Sequence, residues 1–384
     1  MISHRYAKAN NKYLKDCNPN DINSYIIYLD ANNLYGGSMC EKMPFGGLEW
    51  IENIDIENYN TDGDQGCFVE VDLEYPSALH DLHNDYPLAP ESRSIHYNEL
   101  SNYQKIQLEL HQENQNDKIN KLVPNLHVKK NYICHIRNLQ YYLKKGLILK
   151  KVHRALQFNQ SYWLKEYIDF NTNKRKNSKN EFEKDLYKLM SNAVFGKTME
   201  NVRNRVNIDL YTNENLALKQ VAKPQYQCSK IYNVDLIAIK KVKKCVVLDK
   251  PVYVGVSILD LSKLHMLKFH YDYIKLKYGN KSKLCFTDTD SLTYHIQTED
   301  IYKEMKEDGD LFDFSGYNLD GYRSQDNTNK KTVYKFKDET DGIPIREFVG
   351  LRSKCYSILL DDNVEKKTLK GIIKEILCEK EYSS

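Results

Sequence analysis

At 384 residues, with 41% hydrophobic and 28% charged side chains, the chain has material for more than one packed core. A mean hydropathy of −0.67 and the lack of any apolar run of membrane-spanning length argue against a membrane helix. Net charge is only +3, too little to specify a nucleic-acid partner by itself, so the distribution of charge carries more information than its sum.

Residues 1–20 are polar and irregular, carry no signal-peptide pattern and close on the turn Asn18-Pro-Asn-Asp21. Ser24–Asp30 is apolar nearly throughout and is expected as a central strand ending in a carboxylate at a cleft. Residues 38–130 alternate turns with short strands such as Cys67–Leu73, and a helix is expected over Tyr97–Gln112. Asp85–Glu91 is a rigid loop with two prolines, and His80-x-x-His83 lacks a third ligand and is expected on a surface loop. Ile133, Ile136, Leu139 and Leu143 recur at helical spacing, predicting a helix over Tyr132–Leu143 that stops at Gly146.

A basic section follows, with twelve Lys/Arg against five Asp/Glu between positions 144 and 188. Lys174–Asn180 is expected as a loop, with Asn180 and Glu183 forming a capping box for the next helix. In that helix Phe182, Leu186, Leu189 and Ala193 form an expected inward stripe. Lys188, Asn192 and Phe195 share another face at i, i+4 and i+7. An ammonium, an amide and a flat ring together suit a triphosphate and a base, although a solvated Lys, a capping Asn and a core Phe would leave the same letters.

Val206–Tyr211 and Val234–Ile239 read as strands with a basic rim at Lys240–Lys244, and a long helix is expected over Ser257–Tyr278. Next comes Lys283–Ile296, two β-rich runs flanking Asp288-Thr-Asp290-Ser291: a hairpin with two carboxylates at its tip. Such charges repel, and a divalent cation relieves them. Residues 297–345 suggest a helix and an exposed loop. Phe348–Leu360 is expected as one strand with a basic, aromatic edge bearing Lys354 and Tyr356. Nine scattered Cys without Cys-x-x-Cys spacing suggest reduced thiols in an intracellular chain.

Four motifs then line up, with a fifth site after them. Asp30-Ala-Asn-Asn-Leu-Tyr35-Gly resembles D-x-x-S-L-Y-P, and Lys188–Gly196 resembles K-x-x-x-N-S-x-Y-G. Phe286–Ser291 resembles Y-x-D-T-D-S, Lys354-Cys-Tyr356 resembles K-x-Y, and Lys370-Gly371 resembles a downstream lysine site. These are motifs of family B DNA polymerases, and the chain is most similar to the protein-primed branch of phages, adenoviruses, linear plasmids and self-synthesising transposons. The resemblance implies an α+β fold: a palm with an antiparallel sheet, helical fingers and two insertions. It implies palm at 1–37 and 251–357, an insertion resembling a terminal-protein-contact region at 38–150, fingers at 151–199, a strand-displacement-like insertion at 200–250, and the start of a shortened thumb at 358–384. No exonuclease domain is expected in this stretch.

By the same resemblance Asp30, Asp288 and Asp290 are catalytic, with Asp30 and Asp290 as ligands of two Mg²⁺ ions, for which Mn²⁺ is an alternative. Ala31 lends a carbonyl, Tyr35 packs under the incoming sugar, and Lys188, Asn192 and Phe195 bind the nucleotide, with Lys176 as an upstream helper of Lys188. Lys354, Tyr356 and Lys370 grip the primer. Implied partners are a DNA template-primer, dNTPs and a priming terminal protein, with no membrane. Gly36, Asn33, Ala193, Phe195 and Phe286 depart from the motif letters, conservatively in shape. The expected lack of an exonuclease domain and the shortened thumb keep a catalytically inactive DNA-binding remnant open, as well as another metal-dependent nucleotidyl or phosphoryl transferase with an analogous carboxylate cluster.

Overall fold

The computed structural model describes residues 1–110, 120–317, 323–352 and 354–369. Ser24–Ala31 forms the expected central strand, buried along almost its whole length. Its apolar residues Tyr25, Ile27 and Leu29 face one core and Ile26 another, as period-2 side chains on a two-sided sheet must. The sheet has nine strands among the described residues, and its main path runs Ser282–Asp288, Ser291–Gln297, Ser24–Ala31, Ile345–Arg352, Cys355–Leu360, Glu365–Leu369. Every pairing along that path is antiparallel.

A second, four-stranded sheet is built from Met43–Ile51, Gln65–Glu74, Lys129–His135 and Ile148–Ser161. Between the two sheets runs the helix Val252–Lys268, which starts earlier than its sequence pattern suggests and continues through a π-helical segment, Phe269–Ile274. It is apolar all round because it serves two cores. Val254, Ile258, Leu261 and Leu264 pack with the second sheet, while Met266, Phe269 and Ile274 pack with the central one. Gly255 lets a neighbouring helix end approach, since a Cβ there would lie 2.3 Å from the Met199 sulfur. Asp260 on this helix accepts from the His135 amide at 2.8 Å, and Asn138 donates to its carbonyl at 2.8 Å.

Several sequence expectations change. Tyr132–His135 belongs to a strand, and the helix is Ile136–Lys144, because β-branched and aromatic residues at 132–133 pair across to Val71 and Glu70. The Tyr97–Gln112 helix is a short 3-10 turn followed by Asn102–Leu110, with residues 111–119 outside the described set. The exposed loop expected within 297–345 contains a further strand, Phe336–Asp338, that pairs with Leu29–Ala31. Phe348–Leu360 is two strands, turning at Lys354 with φ 59°. His83 is not on a surface loop: it is buried, its Nδ1 2.8 Å from the Tyr75 hydroxyl. The expected inward stripe of the Glu181–Thr198 helix faces solvent, with Phe182 76% and Leu189 65% exposed. That helix docks through Ser191, Val194, Phe195 and Thr198 instead, so the packing partner overrides the most apolar face.

Burial pushes His83 and His265 down to about 4 and His135 and His270 down to about 3. Neutral imidazoles are therefore favoured by folding, and the unfolded chain binds more protons below about pH 6.5. Stability contributed by these groups is complete above that pH and falls as pH drops toward 4. Urea midpoints measured from pH 7 to pH 4 should decline, and His270→Gln should flatten the decline.

Candidate active site

The hairpin carrying Asp288 and Asp290 forms as the sequence suggests. Asp288 pairs with Ser291, Thr289 takes φ 66°, and the Asp290 amide donates to the Asp288 carbonyl at 2.8 Å. Its second strand lies against Ser24–Ala31 with Ser291 opposite Asp30. The Ala31 amide donates to the Asp290 carbonyl at 2.7 Å, which fixes the hairpin tip against the end of the central strand. Asp30 and Asp290, 260 positions apart in the chain, thus become neighbours.

Both are half-buried, and both carboxyls are shifted upward. Asp30 is pushed up to about 8, first by burial, then by the charges of Asp290 and Glu339, with Lys188 and Lys337 opposing. Burial also leads the rise at Asp290, and Asp288 adds to it. Asp288 itself turns toward Lys354, its Oδ1 3.2 Å from the Nζ. It lines a separate apolar cavity of ≈ 460 Å³ shared with Tyr35, Lys354 and prolines 87, 90 and 124.

A cleft of ≈ 200 Å³ brings together Asp30, Ala31, Tyr35, Lys188, Asn192 and Asp290, six of the residues singled out in the sequence. Tyr35 and Phe195 stack at 4.4 Å between ring centroids, interplanar angle 29°. The Glu181–Thr198 helix that supplies Lys188 is capped by Asn180, whose Oδ1 accepts from the Glu183 amide at 2.8 Å; the return bond from Glu183 goes to the Lys179 amide. Lys354 stands at the tip of its hairpin. Tyr356 is buried, its hydroxyl 3.2 Å from that of Tyr28, and its ring packs on Phe286. Tyr356 therefore sits under the sheet surface. Lys370 lies outside the described residues.

Arg175 also lines the cleft and was missed in the sequence. Lys176, the expected helper, donates instead to Thr332 Oγ1 at 3.1 Å. Helical phase carries the missing signal: buried Ile168 and Asn171 share a face with position 175, three, four and seven residues apart. The Arg175 Nε is buried without a protein partner, and burial lowers its pKa.

The motif departures are coupled. Asn33, with φ 46°, folds its amide over Gly36, where a Cβ would meet it at 2.1 Å. A proline at 36 would exclude this Asn33 position.

Among the described residues, no group of three or more His, Cys, Asp or Glu is gathered for a metal. The cleft offers two carboxylates whose burial and mutual repulsion raise their pKa, together with the backbone at Ala31. That donor set fits Mg²⁺, a hard cation that takes one or two carboxylates and leaves other positions to substrate phosphates.

Residues 12–276 match the family described as DNA polymerase type B, organellar and viral. The chain belongs to that family. No curated protein matches it by sequence. Among solved structures it is similar to Phi29 DNA polymerase in an orthorhombic crystal form, with TM-score 0.54, 16% identity, 97% of this chain and 55% of that one covered. It is also similar to Phi29 DNA polymerase complexed with primer-template DNA and incoming nucleotide, with TM-score 0.51, 15% identity and 97% and 54% covered. The polymerase fold is shared, and this chain spans about half the length of those structures. The Asp288/Asp290 hairpin lies beyond the family match, so its place in the site rests on strand register.

A buried carboxyl held near 8 is a stability cost that grows with pH. The unfolded group ionises near 3.8 and the folded one near 8, so folding takes up a proton across that window. Asp30→Asn should therefore melt higher than wild type at pH 8.5 in EDTA, and the difference should shrink toward pH 4.5. Adding Mg²⁺ should raise the melting temperature of wild type more than that of Asp30→Asn.

Proposed function

We propose that this chain is the catalytic portion of a protein-primed, DNA-directed DNA polymerase that extends a primer 3′ end with dNTPs during replication of a viral or transposon-like element. The observation that carries the reading is the register that sets Asp30 beside Asp290 in a cleft overlooked by Lys188. Residues 1–37 and 251–357 would serve as palm, 151–199 as fingers, 38–150 and 200–250 as insertions, and 358–384 as the start of a thumb.

The reaction joins the primer 3′ oxygen to the α-phosphorus of the nucleotide and breaks the bond to the β-phosphate, releasing pyrophosphate. Two Mg²⁺ ions held by Asp30 and Asp290, with the Ala31 carbonyl, would supply charge neutralisation and Lewis acidity at the reacting oxygens when bound. The chain's own groups orient the rest. Lys188 and Arg175 offset charge on the triphosphate from the helical hairpin above the carboxylates. Arg175 offers a planar fork and Lys188 a point charge, so the two hold different phosphate oxygens. The Tyr35–Phe195 stack forms a flat floor for the incoming nucleotide, with Asn192 at its edge. Lys354, steadied by Asp288, is placed to hold the primer backbone.

A second reading, a DNA-binding remnant without catalysis, is favoured by one contact. Asp288 is paired with Lys354, which neutralises the third carboxylate and leaves it less available to a cation. Primer extension with Mg²⁺ separates the readings. Wild type should incorporate dNTPs only with template, and Asp290→Asn should lose at least ~10³-fold in rate, a barrier increase of about 4 kcal/mol. Equal incorporation by both proteins would remove the catalytic assignment, and salt-sensitive DNA binding with no incorporation would favour the remnant. Lys188→Ala and Arg175→Ala should each raise KM for dNTP roughly tenfold or more, with little change in primer affinity. Lys354→Ala should do the opposite.

A further inference from the structure

A cavity of ≈ 850 Å³ lies apart from the catalytic cleft. It sits where Met43–Ile51 pairs with the end of Ile148–Ser161, at a register shift around Gly46 and Gly47 that splays the strands. Its walls hold two rings, Phe45 and Tyr59, and four amide side chains, Asn60, Gln65, Asn159 and Gln160. Gln160 is 2% exposed, and its Nε2 donates to the carbonyls of Thr61, Gly63 and Gln65 at 3.1, 2.9 and 3.2 Å. That side chain pins the loop forming one wall, while its Oε1 and the Tyr59 hydroxyl find no partner in the protein.

Aromatic side chains are exposed in the wall of this cavity and at the positions that follow its lining residue Ser161 in the chain. Phe45 is 55% exposed, and Tyr162 and Trp163 are exposed just before the helix Lys165–Lys176 that carries Arg175. Lys42 lies 5.7 Å over the Tyr162 ring. A ring exposed in the wall of a cavity, unlike one on open surface, offers its face to a ligand that enters. Rings beside amides match the chemistry of an unstacked nucleobase: a π-face to stack on, and donors and acceptors for its edge. A base inside a duplex has neither its face nor its Watson–Crick edge free for such a pocket.

We propose that this cavity binds an unpaired base of single-stranded DNA, at the root of the helical hairpin that overlooks the carboxylates. In its choice of ligand the assignment rests on the polymerase reading. The ring of Phe45 supplies the stacking face, and Asn60 and Asn159 read the base edge without strong preference. Phosphate contacts contribute little here, because Lys42 Nζ is already engaged by the carbonyls of Asp62 and Gly63 at 2.7 and 3.1 Å.

Fluorescence anisotropy on two labelled DNAs tests this: a primer-template with a 5′ single-stranded overhang and the matching blunt duplex. Phe45→Ala should weaken binding of the overhang DNA roughly tenfold and leave the blunt duplex unchanged, in line with about 1–3 kcal/mol per stacked base. The salt dependence of overhang binding should keep its slope, since no phosphate contact is lost. Asn60→Ala, on an exposed loop, should cause a smaller loss of the same kind and serves if Phe45→Ala fails to fold. Equal weakening on both DNAs, no weakening, or a shallower salt slope would overturn the proposal. Neither variant touches the catalytic cleft. A wild type that makes no DNA yet prefers the overhang would therefore defeat only the polymerase reading. A wild type that makes DNA with no effect of Phe45→Ala or Asn60→Ala on overhang binding would defeat only this one.

Discussion

Two half-buried carboxylates held side by side are the constraint the architecture serves. Left alone, like charges in a dry cleft push apart and take up protons. Here they cannot separate, because the Ala31 amide clasps the Asp290 carbonyl at 2.7 Å and the hairpin's second strand runs in full register along Ser24–Ala31. The backbone ladder holds the pair together against its own repulsion. The same repulsion, added to burial, pushes the Asp30 carboxyl up to about 8, with Lys188 opposing it.

The cations come from elements that the central sheet does not contain. Lys188 and Arg175 ride on two helices that pack on each other and dock on the rest of the molecule through buried Ile168 and Asn171, through Val194 and Phe195, and at Gly255. The helix Val252–Lys268 is the common axle. One side belongs to the central sheet's core and the other to the core of the second sheet, so displacing it would disturb both. The acids are thus set by the sheet and the bases by a helix pair docked beside it.

The substituted motif positions show compensation within reach of each side chain. Gly36 makes room for the Asn33 amide. Phe286 lies in a cluster with Phe348 and Tyr356, where a lost hydroxyl leaves nothing unpaired. Phe195 keeps the stack on Tyr35. Each change removes or adds a polar atom at a place where the neighbours can absorb it.

Local chemistry made much of this legible from the letters alone. The apolar run ending in Asp30, the turn chemistry of Asp288–Ser291 and the face shared by Lys188 and Asn192 all follow from periods of 2 and 3.6 and from short polar side chains at turns. What those patterns could not decide was which apolar face finds a partner. Phe182, Leu186 and Leu189 make the better stripe yet stay in solvent, because the docking surface accepts Val194 and Phe195. Arg175 rather than Lys176 enters the cleft for the same reason, and Asp288 meets Lys354 only because a turn 66 residues on folds back to it. Spacing along a chain fixes neighbours within one element; contacts between elements depend on burial and charge balance that exist only once the chain has closed on itself.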